Sequence, residues 1–507
     1  MSRPANGRRS KPTPAHARRT LKNVFGLDEF RPGQEAIIGS VLEARDTVGI
    51  MPTGAGKSLC YQVPALLLHG TTLVVSPLIS LMQDQTSKLV EMGLAVSSVN
   101  SALTTTEEAE HLDRIAGDRA EFVLTTPERL ANPEFNAMLR RTAIDFVVVD
   151  EAHCVSQWGH DFRPAYLEIK DAIASLRRSG SRRRPPILAL TATAPEAVLS
   201  SICSDLGLAN PRIVNTGIFR PNLEFEVRRT VNDLQKREAL ISLLHETSGT
   251  GIVYAATVKQ VETLHALLDG IPGGVAKYHG RMTASQRREH QDRFMSGNVR
   301  AMVATNAFGM GIDKPDVRFV IHYNMPGSLE AYYQESGRAG RDGEPSRCIL
   351  FFQLEDRRTQ LYFLGGRYPK REEIQAVYAA LQRLGEREVP THADEVKAEV
   401  GTAVPPTRVR VVLSLLKNLD VASGGRGGTL ALRQPALSEG DLTAVADAYQ
   451  AKQSNDRDKL EDMMRYGQSA TCRWAHLLEY FGESLAEPCG TCDNCRHPLE
   501  LQLGQSA

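Results

Sequence analysis

The chain has 507 residues, 60 basic and 60 acidic side chains, and a hydrophobic fraction of 42%. That length calls for about three domains, and the balanced charge excludes an argument from bulk electrostatics for a nucleic-acid partner, which must rest on local patches instead. No apolar run approaches the roughly 18 residues of a membrane helix, and eight cysteines in so long a chain do not make a disulfide framework.

The chain opens with Arg3, Arg8, Arg9, Lys11, Arg18 and Arg19, without an acid or an apolar core. This is not a secretory signal, and residues 1–20 are read as a disordered basic tail. Phe25-Gly-Leu-Asp-Glu-Phe30-Arg-Pro-Gly-Gln34 follows. The Gln34 amide offers one donor and one acceptor to an adenine edge, and the Phe25 ring offers a face to stack on. Next comes Met51-Pro-Thr53-Gly54-Ala55-Gly56-Lys57-Ser58, between a buried strand end at Thr47 to Ile50 and a helix expected from Leu59 to Leu68. A glycine loop in that place points successive N–H groups at a phosphate, and the helix N-terminus adds its positive end. Lys57 is expected to reach the β/γ-phosphates of ATP and Ser58 to ligate Mg²⁺. Met51 stands where the general pattern has glycine; the tail from Thr53 to Ser58 is intact.

From Thr71 apolar strands alternate with helical stretches, the signature of a parallel sheet. Leu73 to Ser80 is a buried strand running into a polar loop that contains Ser76, and Phe122 to Leu130 repeats the design. Such loops lie at the carboxyl ends of strands, where α/β sheets bind ligands. Phe146-Val-Val-Val ends in Asp150-Glu151-Ala-His153. Asp150 is expected to hold Mg²⁺, and Glu151 to orient and deprotonate the attacking water. Cys154 to Pro164 then carries Trp158, His160, Phe162 and Arg163. Its rings suit stacking on bases and its guanidinium suits a phosphate; the rival reading puts Trp158 in the core. Ala189-Leu-Thr191-Ala-Thr193 ends a further strand.

Phe30-Arg-Pro-Gly-Gln34, the glycine loop, Ser76-Pro-Leu-Ile-Ser80, Asp150-Glu-Ala-His153, Ser156 to Pro164 and Thr191-Ala-Thr193 together resemble the motifs of the RecQ family of DNA helicases. The resemblance implies two tandem RecA-like parallel-sheet motor domains (residues 21–215 and 216–356), ATP as substrate, and single-stranded and duplex DNA as partners. It also implies that the loop around Trp158 couples DNA binding to hydrolysis. Phe219-Arg-Pro-Asn-Leu223 marks the crossing into the second half. There Val303-Ala-Thr305-Asn306-Ala-Phe-Gly309-Met-Gly311-Ile-Asp313 is a strand with a glycine-rich exit, which in the family touches DNA and nucleotide. In this reading Ser76, Thr191 and Thr305 join the DNA-contacting set, and Gly309 and Asp313 the nucleotide set.

Gln334-Glu335-Ser-Gly337-Arg338-Ala-Gly340-Arg341-Asp-Gly343 places two arginines three apart, a spacing that puts them on one helical face. A guanidinium aimed at the γ-phosphate stabilises charge in phosphoryl transfer. With the glycine loop on one sheet and the arginines on another, the ATP site is composite and its closure is a motor stroke. The resemblance assigns Arg341 as the finger and Arg338 as a second phosphate or coupling contact, with exchange of the two left open.

After the motor, helical stretches Arg371–Leu384, His392–Val400 and Thr407–Leu419 lead to a Gly-rich hairpin ending at Arg433, a winged-helix-like segment (residues 366–435). Its third helix carries Arg408, Arg410 and Lys417, cations suited to lie on DNA. Cys472, expected to be helical, joins Cys489, Cys492 and Cys495 in a helical module (residues 440–498), with residues 499–507 a tail. Four thiolates suit a structural Zn²⁺; disulfides are disfavoured in a chain without a signal. Here the winged-helix-like segment precedes the zinc module, the reverse of the family's order. The implied function is a 3′→5′ ATP-dependent DNA helicase of recombination and repair, cytoplasmic and nucleoid-associated, with a single-stranded-DNA-binding protein as a candidate partner. The rivals are a translocase or annealing ATPase without robust unwinding, an RNA helicase with the same box, and a DNA-binding regulator with a vestigial motor.

Overall fold

The computed structural model describes residues 12–130, 132–156, 165–178, 183–309, 314–385, 391–418, 421–424, 429–432 and 438–498. Seven strands form the first sheet: β1 (Thr47–Ile50), β2 (Thr71–Val75), β3 (Val96–Val99), β4 (Phe122–Thr125), β5 (Ile144–Val149), β6 (Ile187–Thr191) and β7 (Arg212–Asn215). Their order is β3-β4-β2-β5-β6-β1-β7, and every pairing is parallel. β1 to β6 are buried along their whole length, as β-branched runs covered by helices on both faces should be. β6 lies between β1 and β5, so Thr191 ends between the glycine loop and the carboxylate pair.

The second sheet holds β8 (Leu223–Arg229), β9 (Thr250–Tyr254), β10 (Val275–Tyr278), β11 (Ala301–Ala304), β12 (Val317–His322) and β13 (Ser346–Phe352), in the order β10-β11-β9-β12-β13-β8 and again all parallel. The fold is therefore α/β with two tandem parallel sheets, as the sequence implies. Beyond them, helices Arg371–Gly385, Ala393–Val400 and Pro406–Asn418 pack on a small antiparallel sheet of β14 (Thr391–His392), β15 (Ala422–Gly424) and β16 (Thr429–Leu432). This winged-helix arrangement has its own core, from Ile374 to Leu430; the hairpin tip at 425–428 lies outside the described residues. Its third helix is not a free row of cations. Arg408 donates to both Glu373 carboxylate oxygens at 2.7 and 2.8 Å and to the Gly365 carbonyl at 2.9 Å; Arg410 is exposed.

Among the described residues the zinc module has no separate core. Its helices Glu439–Gln468 and Arg473–Tyr480 place Leu460, Met463, Tyr466, Trp474, Leu477 and Phe481 in one cluster with β8, β13 and helix Leu329–Ser336 of the second motor sheet. Trp474 is wholly buried, stands edge-on to Phe219 and Phe225 at 5.0 and 4.9 Å, and donates its indole N–H to the Leu223 carbonyl at 3.0 Å. Trp474→Ala should cost about 3–5 kcal/mol and lower the thermal midpoint by about 10 °C. Calorimetry showing an unmoved transition would mean that the module is an appendage. Among the described residues no helix is long and apolar enough to cross a membrane.

Candidate functional site

The glycine loop joins β1 to helix Leu59–Leu67, and two of its residues need backbone freedom. Gly54 and Gly56 sit at φ +86° and +77°, a region that side chains resist. A Cβ on Gly56 would lie 2.7 Å from the Gln34 amide nitrogen. Gln34 is buried and donates that nitrogen to the Ala55 and Gly56 carbonyls at 3.1 and 3.0 Å, while its Oε1 accepts the Arg31 N–H at 2.9 Å. Its amide thus braces the loop. The Arg31 guanidinium adds a bond to the Gly54 carbonyl, a role that the sequence reading gave to no residue. Helix Pro14–Phe25 corrects the expectation of a disordered tail for residues 14–20, because Ala17 and Leu21 are buried on one face of it, and Phe25 at its end packs half-buried near Ile38 and Val63. The Lys57 ammonium rests 3.4 Å from the Met51 carbonyl, and Ser58 occupies the cap of the following helix.

Asp150 and Glu151 leave β5 toward this loop. Asp150 is buried, and its carboxyl is pushed up to about 7 by burial first and by the neighbouring Glu151 charge second, against the pull of Lys57 and of the Glu151 N–H. That N–H donates to Asp150 Oδ1 at 3.0 Å. A buried carboxylate so short of positive charge is suited to a divalent cation. Glu151 itself sits at φ +49°, left-handed backbone that a non-glycine residue occupies at a cost and that clusters at functional sites. His153 Nδ1 lies 3.1 Å from Thr191 Oγ1 and 3.3 Å from Glu151. The Thr191 hydroxyl donates to the Thr193 carbonyl at 2.8 Å, so it accepts from a His153 protonated at Nδ1. The Met51 N–H donates to the Thr191 carbonyl at 3.0 Å, and the strand end therefore ties the loop to the carboxylates.

The second sheet completes the site. Helix Leu329–Ser336 stops at Gly337, so Arg338 and Arg341 lie in the glycine turn beyond it, with Gly340 at φ +56°. The expectation of two arginines on one helical face is corrected: three interleaved glycines end the helix, and the two side chains part. Arg338 turns back into its own domain and donates to the Gly309 carbonyl. Arg341 crosses to the first sheet, where its Cγ lies 3.2 Å from the place of a Cβ on Gly54. The loop is held from below by Arg220, which donates to the carbonyls of Gly337, Ala339 and Gly340 at 2.8, 2.8 and 2.6 Å. Arg220 lies in the Phe219-Arg-Pro-Asn stretch that marks the crossing into the second half, and its local sequence does not disclose this task.

Of the other expected contacts, Ser76, Thr191 and Thr305 are buried at the ends of β2, β6 and β11. Thr53 lies against Gly337, where a Cβ would come within 3.2 Å of it. Trp158, His160, Phe162, Arg163 and Asp313 lie outside the described residues. A cavity of about 510 Å³ opens at the carboxyl ends of β9 and β12, lined by Asn306, Asn324 and Ser328 among others.

Away from the cleft, the four cysteine sulfurs lie within 4.8 Å of one another, and the Cys489 and Cys495 sulfurs are 3.9 Å apart. Zn–S bonds of about 2.3 Å give tetrahedral edges of about 3.8 Å, so the quartet fits Zn²⁺. Cys472 caps helix Arg473–Tyr480 and is not within it, a correction to the sequence reading. From the cap its sulfur accepts the Cys489 N–H at 3.3 Å, and Cys492 accepts that of Arg473 at 3.4 Å. Burial resists ionisation of Cys489, but bonds from Thr491, Cys492 and Cys472 bring it down to about 7, whereas burial pushes the Cys492 and Cys495 thiols up.

A glycine loop and carboxylate pair on one parallel sheet, faced by Arg341 from a second, define the two-sheet P-loop fold of the helicase class. Residues 31–201 match the DEAD/DEAH box helicase family, residues 235–343 the helicase conserved C-terminal domain, and residues 434–496 the RecQ zinc-binding family. The chain belongs to the RecQ family of ATP-dependent DNA helicases. It is 36% identical over 481 residues to the ATP-dependent DNA helicase RecQ of Bacillus subtilis, covering 94% of this chain and 66% of that protein. It is 35% identical over 488 residues to the probable ATP-dependent DNA helicase RecS of the same organism, covering 94% and 91%. The chain spans slightly less than two thirds of the RecQ proteins it matches. Among solved structures, Mycobacterium smegmatis helicase Lhr bound to single-stranded DNA and AMP-PNP shares the fold at TM-score 0.56 and 22% identity, over 85% of this chain and 61% of that one. Saccharomyces cerevisiae Dbp5 bound to RNA and ADP BeF3 does so at 0.55 and 19%, over 68% and 90%.

Proposed function

We propose that this protein is an ATP-dependent DNA helicase that moves 3′→5′ along one strand and separates duplex DNA in recombination and repair. The observation that carries the reading is Arg341 of the second sheet lying against Gly54 of the first. A site completed only when two domains meet converts nucleotide binding into domain closure, and hydrolysis into opening. Lys57 and the loop N–H groups bind the phosphates. Glu151 takes the proton of the attacking water at its carboxylate. Arg341 meets the charge that develops on the γ-phosphoryl group. Mg²⁺ held by Ser58 and Asp150 would neutralise charge on the phosphate oxygens. Single-stranded DNA crosses the strand ends, with the loop around Trp158 linking its presence to the carboxylates. The names of the relatives support DNA as substrate. A single-stranded-DNA-binding protein is the proposed partner and the nucleoid the proposed location.

The test is steady-state ATPase with and without single-stranded DNA. Wild type should be strongly stimulated, Lys57→Ala should lose about 10²-fold or more, and Trp158→Ala should keep basal turnover but lose the stimulation. Unaltered turnover in Lys57→Ala would refute the phosphate-binding assignment; stimulation by RNA alone would refute DNA. A second reading, translocation without robust unwinding, draws on Arg408, whose guanidinium is engaged within the winged helix. Displacement of a strand from a partial duplex separates the two.

A further inference from the structure

The two motor sheets are joined by a short segment that begins where β7 ends at Asn215 and finishes at Asn222, just before β8. The zinc module holds its first half. Glu483 Oε2 accepts the Ile218 N–H at 3.1 Å, and Oε1 accepts from Asn215 Nδ2 at 3.4 Å. Glu483 is itself placed by its N–H, which donates to the Leu478 carbonyl at 2.8 Å, and by Phe481, whose ring lies tilted 5.5 Å from that of Tyr333. Tyr333 in turn donates its hydroxyl to the Ile218 carbonyl at 2.7 Å, so both polar groups of Ile218 are fixed to the second domain and its module. The second half of the segment holds the arginine loop. Besides the three bonds from Arg220, Asn222 Nδ2 donates to the Gly340 and Glu344 carbonyls at 2.8 and 3.0 Å.

This pattern confines rotation. From Ile218 onward the segment moves with the second domain, while Asn215 belongs to the first sheet. Thr216 stays with the first sheet, its N–H and hydroxyl donating to the Ile50 carbonyl at 3.0 and 3.3 Å, so the pivot is left to Gly217, which has the backbone freedom for it at φ +76°. Glu483 is the side chain that reaches both sides of that pivot. The bond to Ile218 stays when the domains turn; the longer one to Asn215 crosses the joint and must change.

We propose that Glu483 is a positioning residue for the ATPase: from the zinc module it pins the interdomain pivot, so that Arg220 and Asn222 present Arg341 to the nucleotide loop. It touches neither nucleotide nor zinc in this role. The inference rests on the ATP-hydrolysis reading above. Misplacing a catalytic group by about an ångström through a remote change can cost up to about 10²-fold in rate. Glu483→Ala should therefore lower the DNA-stimulated kcat by about 10-fold with the KM for ATP within about 2-fold. Glu483→Gln keeps one acceptor and should restore most of the rate. Zinc content and thermal midpoint of both variants should equal wild type. Asn222→Ala cuts the other end of the same strut, so Glu483→Ala with Asn222→Ala should lose less than the product of the single losses. A wild-type kcat in Glu483→Ala overturns the inference, as does a rate loss that tracks lost zinc or a lowered midpoint, or a strictly multiplicative double variant. A wild-type protein that hydrolyses no ATP with DNA removes the parent reading, and this inference with it.

Discussion

Arg341→Ala is expected to lower DNA-stimulated ATP turnover by about 10³-fold, with nucleotide affinity changed far less, because an arginine finger acts on charge that exists only in the transition state. The structure separates it from its neighbour. Arg341 leaves its own domain and lies over Gly54, whereas Arg338 is buried and bonded to the Gly309 carbonyl of the strand-exit loop. Arg338→Ala should then act by loosening residues near Gly309, with a smaller loss of turnover. Single-turnover hydrolysis beside equilibrium binding of a fluorescent nucleotide makes the comparison. A mild Arg341→Ala and a severe Arg338→Ala would exchange their roles.

Loss of the metal should be as damaging as loss of the finger, by a different route. Purified protein should carry one zinc per chain, and Cys492→Ser should lose it. Structural zinc contributes on the order of 10 kcal/mol to the fold that binds it, comparable to the whole stability of a domain. The damage should not stop at the module. Arg473 and Asp493, beside the cysteines, are paired at 2.9 and 3.0 Å, and Asp493 accepts the Val227 N–H of β8 at 2.9 Å. Trp474, Leu477 and Phe481 share one core with the second motor sheet. Cys492→Ser is therefore expected to yield little soluble protein and, in what remains, a low thermal midpoint and no DNA-stimulated ATPase. A zinc-free protein with a wild-type midpoint and turnover would show that the module and the motor are energetically separate.

Much of this site was legible in the sequence because its chemistry is local. The glycine loop, the Asp150-Glu151 pair and the spacing of Cys489, Cys492 and Cys495 each need a few successive residues with fixed backbone habits: positive φ at Gly54 and Gly56, a buried strand before Asp150, a tight turn at Gly490. The alternation of apolar strands and helices likewise announces a parallel sheet, since its neighbouring strands need long crossovers, which are usually helices. The parallel sheets themselves are therefore written in the order of residues.

What the tertiary structure alone decided are contacts between residues far apart in the chain. The parting of Arg338 and Arg341 depends on where Gly309 and Gly54 arrive in space, although glycines at 337, 340 and 343 already hinted that no helix would carry them. Gln34 lies 1% exposed, with its amide nitrogen on two loop carbonyls, because the chain before the loop folds under it. The zinc module reads as a separate unit from its cysteines, yet Trp474 reaches a strand 251 residues earlier and Glu483 a hinge 265 residues earlier. No local period encodes such pairings. Burial of an apolar face, and the need of each buried N–H and carbonyl for a partner, fix them only once the whole chain is packed.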